Sequence, residues 1–153
     1  MKYSIDTSAI LDGWRRCYPP DRFPSVWRNI GQLICARSLC ATEEVLIELK
    51  KKADDVYKWA RNQAGLFLPI DEATQKSVAK ILLAYPRLVD PRKNRSTADP
   101  FVIALAHVNG ATVVSGEISS NNPRKPKIPD VCSAMRIKHI RLLELFRLEG
   151  WKF

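Results

Sequence analysis

Histidine is almost absent from this sequence: only His107 and His139 occur in 153 residues, and neither stands near a cysteine. That scarcity argues against a zinc centre, which draws on His and Cys ligands, and against nucleophile chemistry driven by a histidine base. The four cysteines, Cys17, Cys35, Cys40 and Cys132, include no C-x-x-C pair. A chain of this length can bury a core without staples, so they are expected to be reduced and packed as small hydrophobes. No apolar run approaches the ~20 residues that span a bilayer. The opening Met1-Lys2-Tyr3-Ser4-Ile5-Asp6 meets an acid before the apolar region of a secretion signal could form. No membrane association is therefore expected, and a cytoplasmic location is. There is no internal repeat, low-complexity tract or long linker, so residues 1–153 are expected to form a single domain.

What is present is a sizeable core and an excess of positive charge. Hydrophobic residues make up 46% of the chain, and Lys plus Arg exceed Asp plus Glu by 25 to 16, a net charge of +9. Such an excess favours a polyanion partner through counterion release, or an acidic protein, although a merely solvated basic surface is the plainer alternative. The basic residues cluster at Lys50-Lys51-Lys52, Arg92-Lys93-Asn94-Arg95 and Arg124-Lys125-Pro126-Lys127. The last two clusters lie in loop-like sequence, where substrate contacts are usually placed. Arg92, Lys93, Arg95, Arg124 and Lys125 are thus candidate substrate-binding residues.

Short strands alternate with helical patterns along the chain. Strands are expected at residues 2–5, 38–41, 66–69, 111–115 and 137–140. Helices are expected over residues 9–14, over 25–36 with Ser25 as cap, from Thr42 with Val45, Leu46 and Leu49 inward, and over 54–63. Others follow over residues 71–85 with Val78, Ile81 and Leu82 inward, 100–109 stopped by Gly110, and 141–149. Proline-rich residues 18–24, the basic segment 86–97 and residues 116–130 read as loops. This alternation predicts a three-layer α/β/α sandwich around a central parallel sheet.

Active groups in such sheets gather just beyond the carboxyl ends of the strands, and four acids hold such positions. Asp6 follows the first strand, Glu48 lies on the helix after the second, Asp99 opens a helix, and Glu117 follows the strand at 111–115. Carboxylates collected there without histidine suit a hard cation, Mg²⁺ or Mn²⁺, and hence phosphodiester hydrolysis. Each acid also has a plainer explanation. Asp6 before Thr7 and Ser8 fits an N-cap, and Glu48 fits an exposed helix position, with Glu44 one turn away as a like charge. Asp99 before Pro100 fits a cap with proline at the first helical position. Glu117 fits an ordinary loop acid. The joint pattern carries more than any single member.

These four segments resemble the motifs of PIN-domain (VapC-like) ribonucleases. Tyr3-Ser4-Ile5-Asp6-Thr7-Ser8 is similar to the first motif, a strand ending in aspartate before a small hydroxyl residue. Val45-Leu46-Ile47-Glu48-Leu49 resembles the second, and Ala98-Asp99-Pro100-Phe101-Val102-Ile103 the third and most specific. Val113-Val114-Ser115-Gly116-Glu117 aligns with the fourth. The segment 18–27 and Lys127-Ile128-Pro129-Asp130-Val131-Cys132 further resemble an uncharacterised bacterial PIN-like toxin subfamily set apart from VapC.

The resemblance implies a PIN-like fold and a Mg²⁺- or Mn²⁺-dependent endoribonuclease acting on single-stranded or structured RNA. It also implies the toxin half of a type II toxin–antitoxin pair, partnered by an antitoxin and possibly by a second copy in a homodimer. Asp6, Glu48, Asp99 and Glu117 would be the catalytic metal ligands, with Ser8 and Ser115 as supporting hydroxyls. The usual T-x-D of the fourth motif is replaced by Ser115-Gly116-Glu117, which leaves Asp130 as a substitute or extra ligand, or a plain turn acid. It also leaves open a degenerate PIN domain that binds RNA or protein without cutting. A flap-cutting DNA nuclease is a third reading, against which 153 residues leave little room for duplex-binding additions. Trp14, Tyr18, Phe23, Trp27 and Trp59 are expected to serve as core or interface residues, with base stacking the alternative.

Overall fold

Tyr3, Ser4 and Ile5 are all buried, and this unbroken burial makes β1 (Tyr3–Ile5) the centre of a parallel sheet rather than a half-wetted strand. The computed structural model describes residues 1–51, 54–90, 92 and 96–153. Its other strands are β2 (Leu39–Thr42), β3 (Phe67–Leu68), β4 (Thr112–Val114) and β5 (His139–Ile140). They pair in the order β3-β2-β1-β4-β5, all parallel, with Tyr3 opposite Leu39 on one side and Thr112 on the other. Among the described residues the connections run through α1 (Thr7–Asp12), α2 (Pro24–Cys35), α3 (Glu43–Lys50), α4 (Asp55–Arg61), α5 (Glu72–Ala84), α6 (Asp99–Asn109), α7 (Ile128–Ala134) and α8 (Leu142–Leu148). The result is the expected three-layer α/β/α sandwich. No helix among the described residues is long and apolar enough to cross a membrane.

The centre of the core is α6, which packs on β1, β2 and β4 and carries α5 on its outer side. Five consecutive residues, Val102 to Ala106, are buried, an apolar circumference that only a helix covered on several sides can afford. Gly110 ends it with φ of 60°, the left-handed stop its sequence announced. Ile103 is fully buried there, and Ile103→Ala is expected to cost about 2–5 kcal/mol, read as a lowered chemical-denaturation midpoint with unchanged slope.

Several expected details differ. Ser25 does not cap α2: Phe23 stands at the cap and Pro24 at the first turn, where its missing N–H costs nothing. Leu82 is exposed, because Thr74, Ser77, Val78 and Ile81 define the buried stripe of α5 and leave residue 82 at its margin. Residues 128–130, the end of the expected loop, instead begin α7, with Pro129 tolerated in its first turn. Just past α1 the chain makes a π-helical turn, Gly13–Cys17, which the sequence did not announce.

The aromatics pack on one another. Trp14, Trp27 and Trp59 meet with ring centroids 4.8–5.4 Å apart, and Tyr18 lies edge-on to Phe146 at 5.0 Å. Trp27 is buried and donates its indole N–H to the Tyr18 carbonyl. This is the packing role anticipated for these tryptophans. Cys40 and Cys132 are buried and Cys17 and Cys35 exposed, all four unpaired.

Candidate active site

At the carboxyl end of β1 the chain turns straight into α1, and Asp6 stands at the turn as its N-cap. One carboxylate oxygen, Oδ2, accepts from the Ser8 backbone N–H at 2.9 Å and from the Ser8 hydroxyl at 2.5 Å. The other, Oδ1, is buried with no hydrogen-bond partner among the described residues. The cap explanation for Asp6 therefore accounts for half of its carboxylate. Ser8 Oγ in turn accepts from the Gly116 N–H at 2.9 Å, which ties the first motif to the fourth.

Asp99 is not the cap of its helix. Ala98 holds that position, Asp99 is the first helical residue and Pro100 follows in the first turn, so the Asp99 carboxyl is released from capping. It is 5% exposed, and burial together with the negative charges of Asp6, Glu117 and Glu48 pushes its pKa up to about 10. Asp6, 3% exposed, is raised by burial to about 6 against the two Ser8 hydrogen bonds, with Glu117 and Glu48 adding repulsion. These mutual effects place all four predicted acids in one electrostatic neighbourhood, although they lie as far apart in sequence as residues 6 and 117.

Glu48 reaches that neighbourhood from α3 and is bound on both oxygens. Oε2 accepts from the Thr7 hydroxyl at 2.6 Å, and Oε1 accepts from Thr97 Oγ1 at 3.2 Å and the Ala98 N–H at 3.0 Å. It thus joins the beginnings of α1 and α6, which the reading of an exposed helix acid does not provide for. Glu117, half-buried, accepts from the Ile128 N–H at 2.9 Å, and burial raises its pKa. Ser115 Oγ accepts from the Glu117 N–H at 3.2 Å and pairs with His139 Nε2 at 2.7 Å, so it orients the segment that carries Glu117. Asp130 plays another part. It accepts from the hydroxyls of Ser119 and Ser120 and from the backbone N–H of Ser120 and Lys127, which organises the preceding loop and lowers its pKa to about 2.

Gly116 in the departing motif has a physical reason. A Cβ there would lie 2.5 Å from Asp12 Oδ2 and 3.1 Å from the Ser8 carbonyl oxygen. Gly116→Ala is expected to destabilise by about 1–3 kcal/mol and to displace Ser8 from Asp6. A lowered melting temperature, accompanied by a fall in any metal-dependent activity, would check this.

The four acids form no ion pair with Lys or Arg among the described residues. The buried orphan Oδ1 of Asp6, the all-oxygen donor set and the unrelieved repulsion fit a hard divalent cation. Among the described residues no three His, Cys, Asp or Glu side chains stand ready as a closed metal-holding group. Mg²⁺ commonly uses one or two carboxylates, several waters and a substrate phosphate, a donor set that Asp6 and a neighbouring acid could begin.

Thr7, Thr97 and His139 are site-supporting residues that sequence reasoning passed over; only Thr7, adjacent to Asp6, carried a signal. Of the basic candidates, Arg92, Arg124 and Lys125 are exposed, Arg124 sharing a cleft of about 390 Å³ with Tyr85 and Arg87. Lys93 and Arg95 lie outside the described residues. A family model described as a domain of unknown function (DUF4411) matches residues 3–153. No curated protein matches the chain.

Proposed function

The chain belongs to the DUF4411 family, and we propose that it is a Mg²⁺- or Mn²⁺-dependent endoribonuclease of the PIN kind, the toxin of a toxin–antitoxin pair. The observation that carries this reading is the convergence of Asp6, Glu48, Asp99 and Glu117 at the carboxyl end of the sheet, with Asp6 Oδ1 buried and unpartnered. The bound cation would polarise a phosphoryl oxygen and lower the pKa of a water. Asp6 and Asp99 would hold it, with Glu48 and Glu117 close by as ligands or as acceptors for its waters. Ser8 fixes the Asp6 rotamer, Thr7 and Thr97 fix Glu48, and Ser115 fixes the backbone before Glu117. The net charge of +9 draws in the RNA. On this reading the protein works in the cytoplasm, beside its RNA and an antitoxin.

The test incubates purified protein with total RNA and tRNA in Mg²⁺, Mn²⁺ or EDTA, alongside Asp6→Asn protein prepared identically. Discrete fragments that need metal and vanish in the variant are expected. Equal cutting by the variant would refute the metal-site assignment. A second reading, a degenerate domain that binds RNA without cutting, is motivated by Ser115-Gly116-Glu117 in place of the usual T-x-D. RNA binding in EDTA with no cleavage in any metal would select it.

A further inference from the structure

The segment Ser115-Gly116-Glu117 separates two clefts, and one side chain borders both. The first, about 220 Å³, is lined by Asp12, Gly13, Arg16, Tyr18, Gly116 and Arg141 among others. The second, about 330 Å³, is lined by Glu117, His139 and Arg141 among others. An occupant of either lies against the backbone that delivers Glu117 to the acid cluster.

Three features give this groove a chemical preference. Arg141 is exposed and forms no salt bridge among the described residues, whereas Arg16 is paired with Asp12 at 2.9 Å. A guanidinium outside any ion pair at the junction of two clefts, whose lining acids are Asp12, Glu117 and Glu144, offers its fork to a phosphate oxygen pair. The wall of the first cleft combines Tyr18 with Leu143, which is 44% exposed. Such a surface accepts the flat face of an unstacked base. Asp12 ends α1 and Gly13, Arg16 and Cys17 come from the π-helical turn, a distortion frequent at functional sites.

We propose that this groove binds single-stranded RNA, with Arg141 on a backbone phosphate and the cleft beside Tyr18 receiving the neighbouring base. The assignment rests on the nuclease reading of the adjoining acids and supplies that site with its substrate form. It also accounts for how a polyanion approaches four carboxylates: a cation stands where the strand must pass.

Fluorescence anisotropy of a labelled single-stranded RNA oligonucleotide, in EDTA and across a salt series, tests it without requiring catalysis. Arg141→Gln is expected to weaken binding about 10-fold and to reduce the salt slope by about one, while Arg141→Lys keeps the salt slope but recovers only part of the affinity. Lys80→Gln, an equal charge loss on α5 outside the groove, should change binding less than about twofold. If Arg141→Gln binds like Lys80→Gln, or a duplex binds as well as the single strand with the same Arg141 dependence, the groove assignment fails. Cleavage separates the two readings. A wild type that never cuts, yet loses binding through Arg141→Gln, leaves the groove standing and removes the nuclease. A wild type that cuts, with Arg141→Gln binding and cutting equally well, does the reverse.

Discussion

Asp99→Asn is expected to abolish metal-dependent RNA cleavage while making the metal-free protein harder to melt. Both halves come from one carboxyl. Asp99 is buried beside Asp6, Glu48 and Glu117, whose charges and the loss of water raise its pKa to about 10. In the absence of a cation it is therefore held protonated near neutrality, and an amide of the same shape removes the charge problem at little steric cost. Removing a partner outside the metal's own ligands typically costs 10–100-fold in metal affinity or activity, so loss of a direct ligand should cost more than about 100-fold. Circular-dichroism melting in EDTA at pH 8 and cleavage in Mn²⁺ measure the two effects on one preparation. An Asp99→Asn protein that cuts at the wild-type rate would remove Asp99 from the metal site. One that melts well below the wild type would show that its carboxyl supports the fold, against the electrostatics described.

Metal-free protein should also lose stability as pH rises, the opposite of ordinary acid denaturation, and divalent cation should restore it. Asp6 and Asp99 have folded-state pKa values of about 6 and about 10, both above the ordinary carboxylate value. Between the unfolded and folded pKa the folded chain binds more protons than the unfolded one, so stability falls with increasing pH. The contribution is fully present below about pH 4. It is lost through about 6 for Asp6 and continues to fall toward about 10 for Asp99. The Asp6 shift alone is on the order of 3 kcal/mol, or roughly 6–12 °C in melting temperature for a domain of this size. Melting in EDTA is expected to be lower at pH 8.5 than at pH 5.5, and millimolar Mn²⁺ should raise it more at pH 8.5, where the ligands are ionised. A flat pH profile with no response to Mg²⁺ or Mn²⁺ would count against the cluster as a cation site.

The parallel sandwich was legible because it rests on strong local signals, whereas the four acids stood out only as a joint pattern of position. Strands such as Val113-Val114 are short and β-branched; Asp6 and Asp99 lie at a strand end and a helix start, Glu117 shortly after β4, and Glu48 on the helix that follows β2. Where the reading missed, a tertiary contact decided the outcome. Pro129 and its upstream prolines suggested loop, yet a proline in the first turn is compatible with α7, whose Ile128, Val131 and Cys132 are buried. Asp99 looked like a cap because Pro100 follows it; the Val102 N–H instead bonds the Ala98 carbonyl at 3.0 Å and moves the helix start back one residue. Glu48 looked optional, since nothing in α3 reveals that Thr7, Thr97 and Ala98 will converge on it. Histidine scarcity hid His139, whose partner Ser115 lies 24 residues away. Arg141 sat in no charge cluster and acquires its setting only when β4 and β5 pair.

The two outer strands of the sheet, β3 and β5, contain two residues each. A row so short offers another chain almost no free ladder of N–H and C=O groups, so strand addition to either border is disfavoured. On the proposed toxin reading, an antitoxin would have to grip helices or loops, through side chains that can be substituted individually. Resistance to such a restraint is therefore open to single substitutions, as it would not be were the contact made through the backbone.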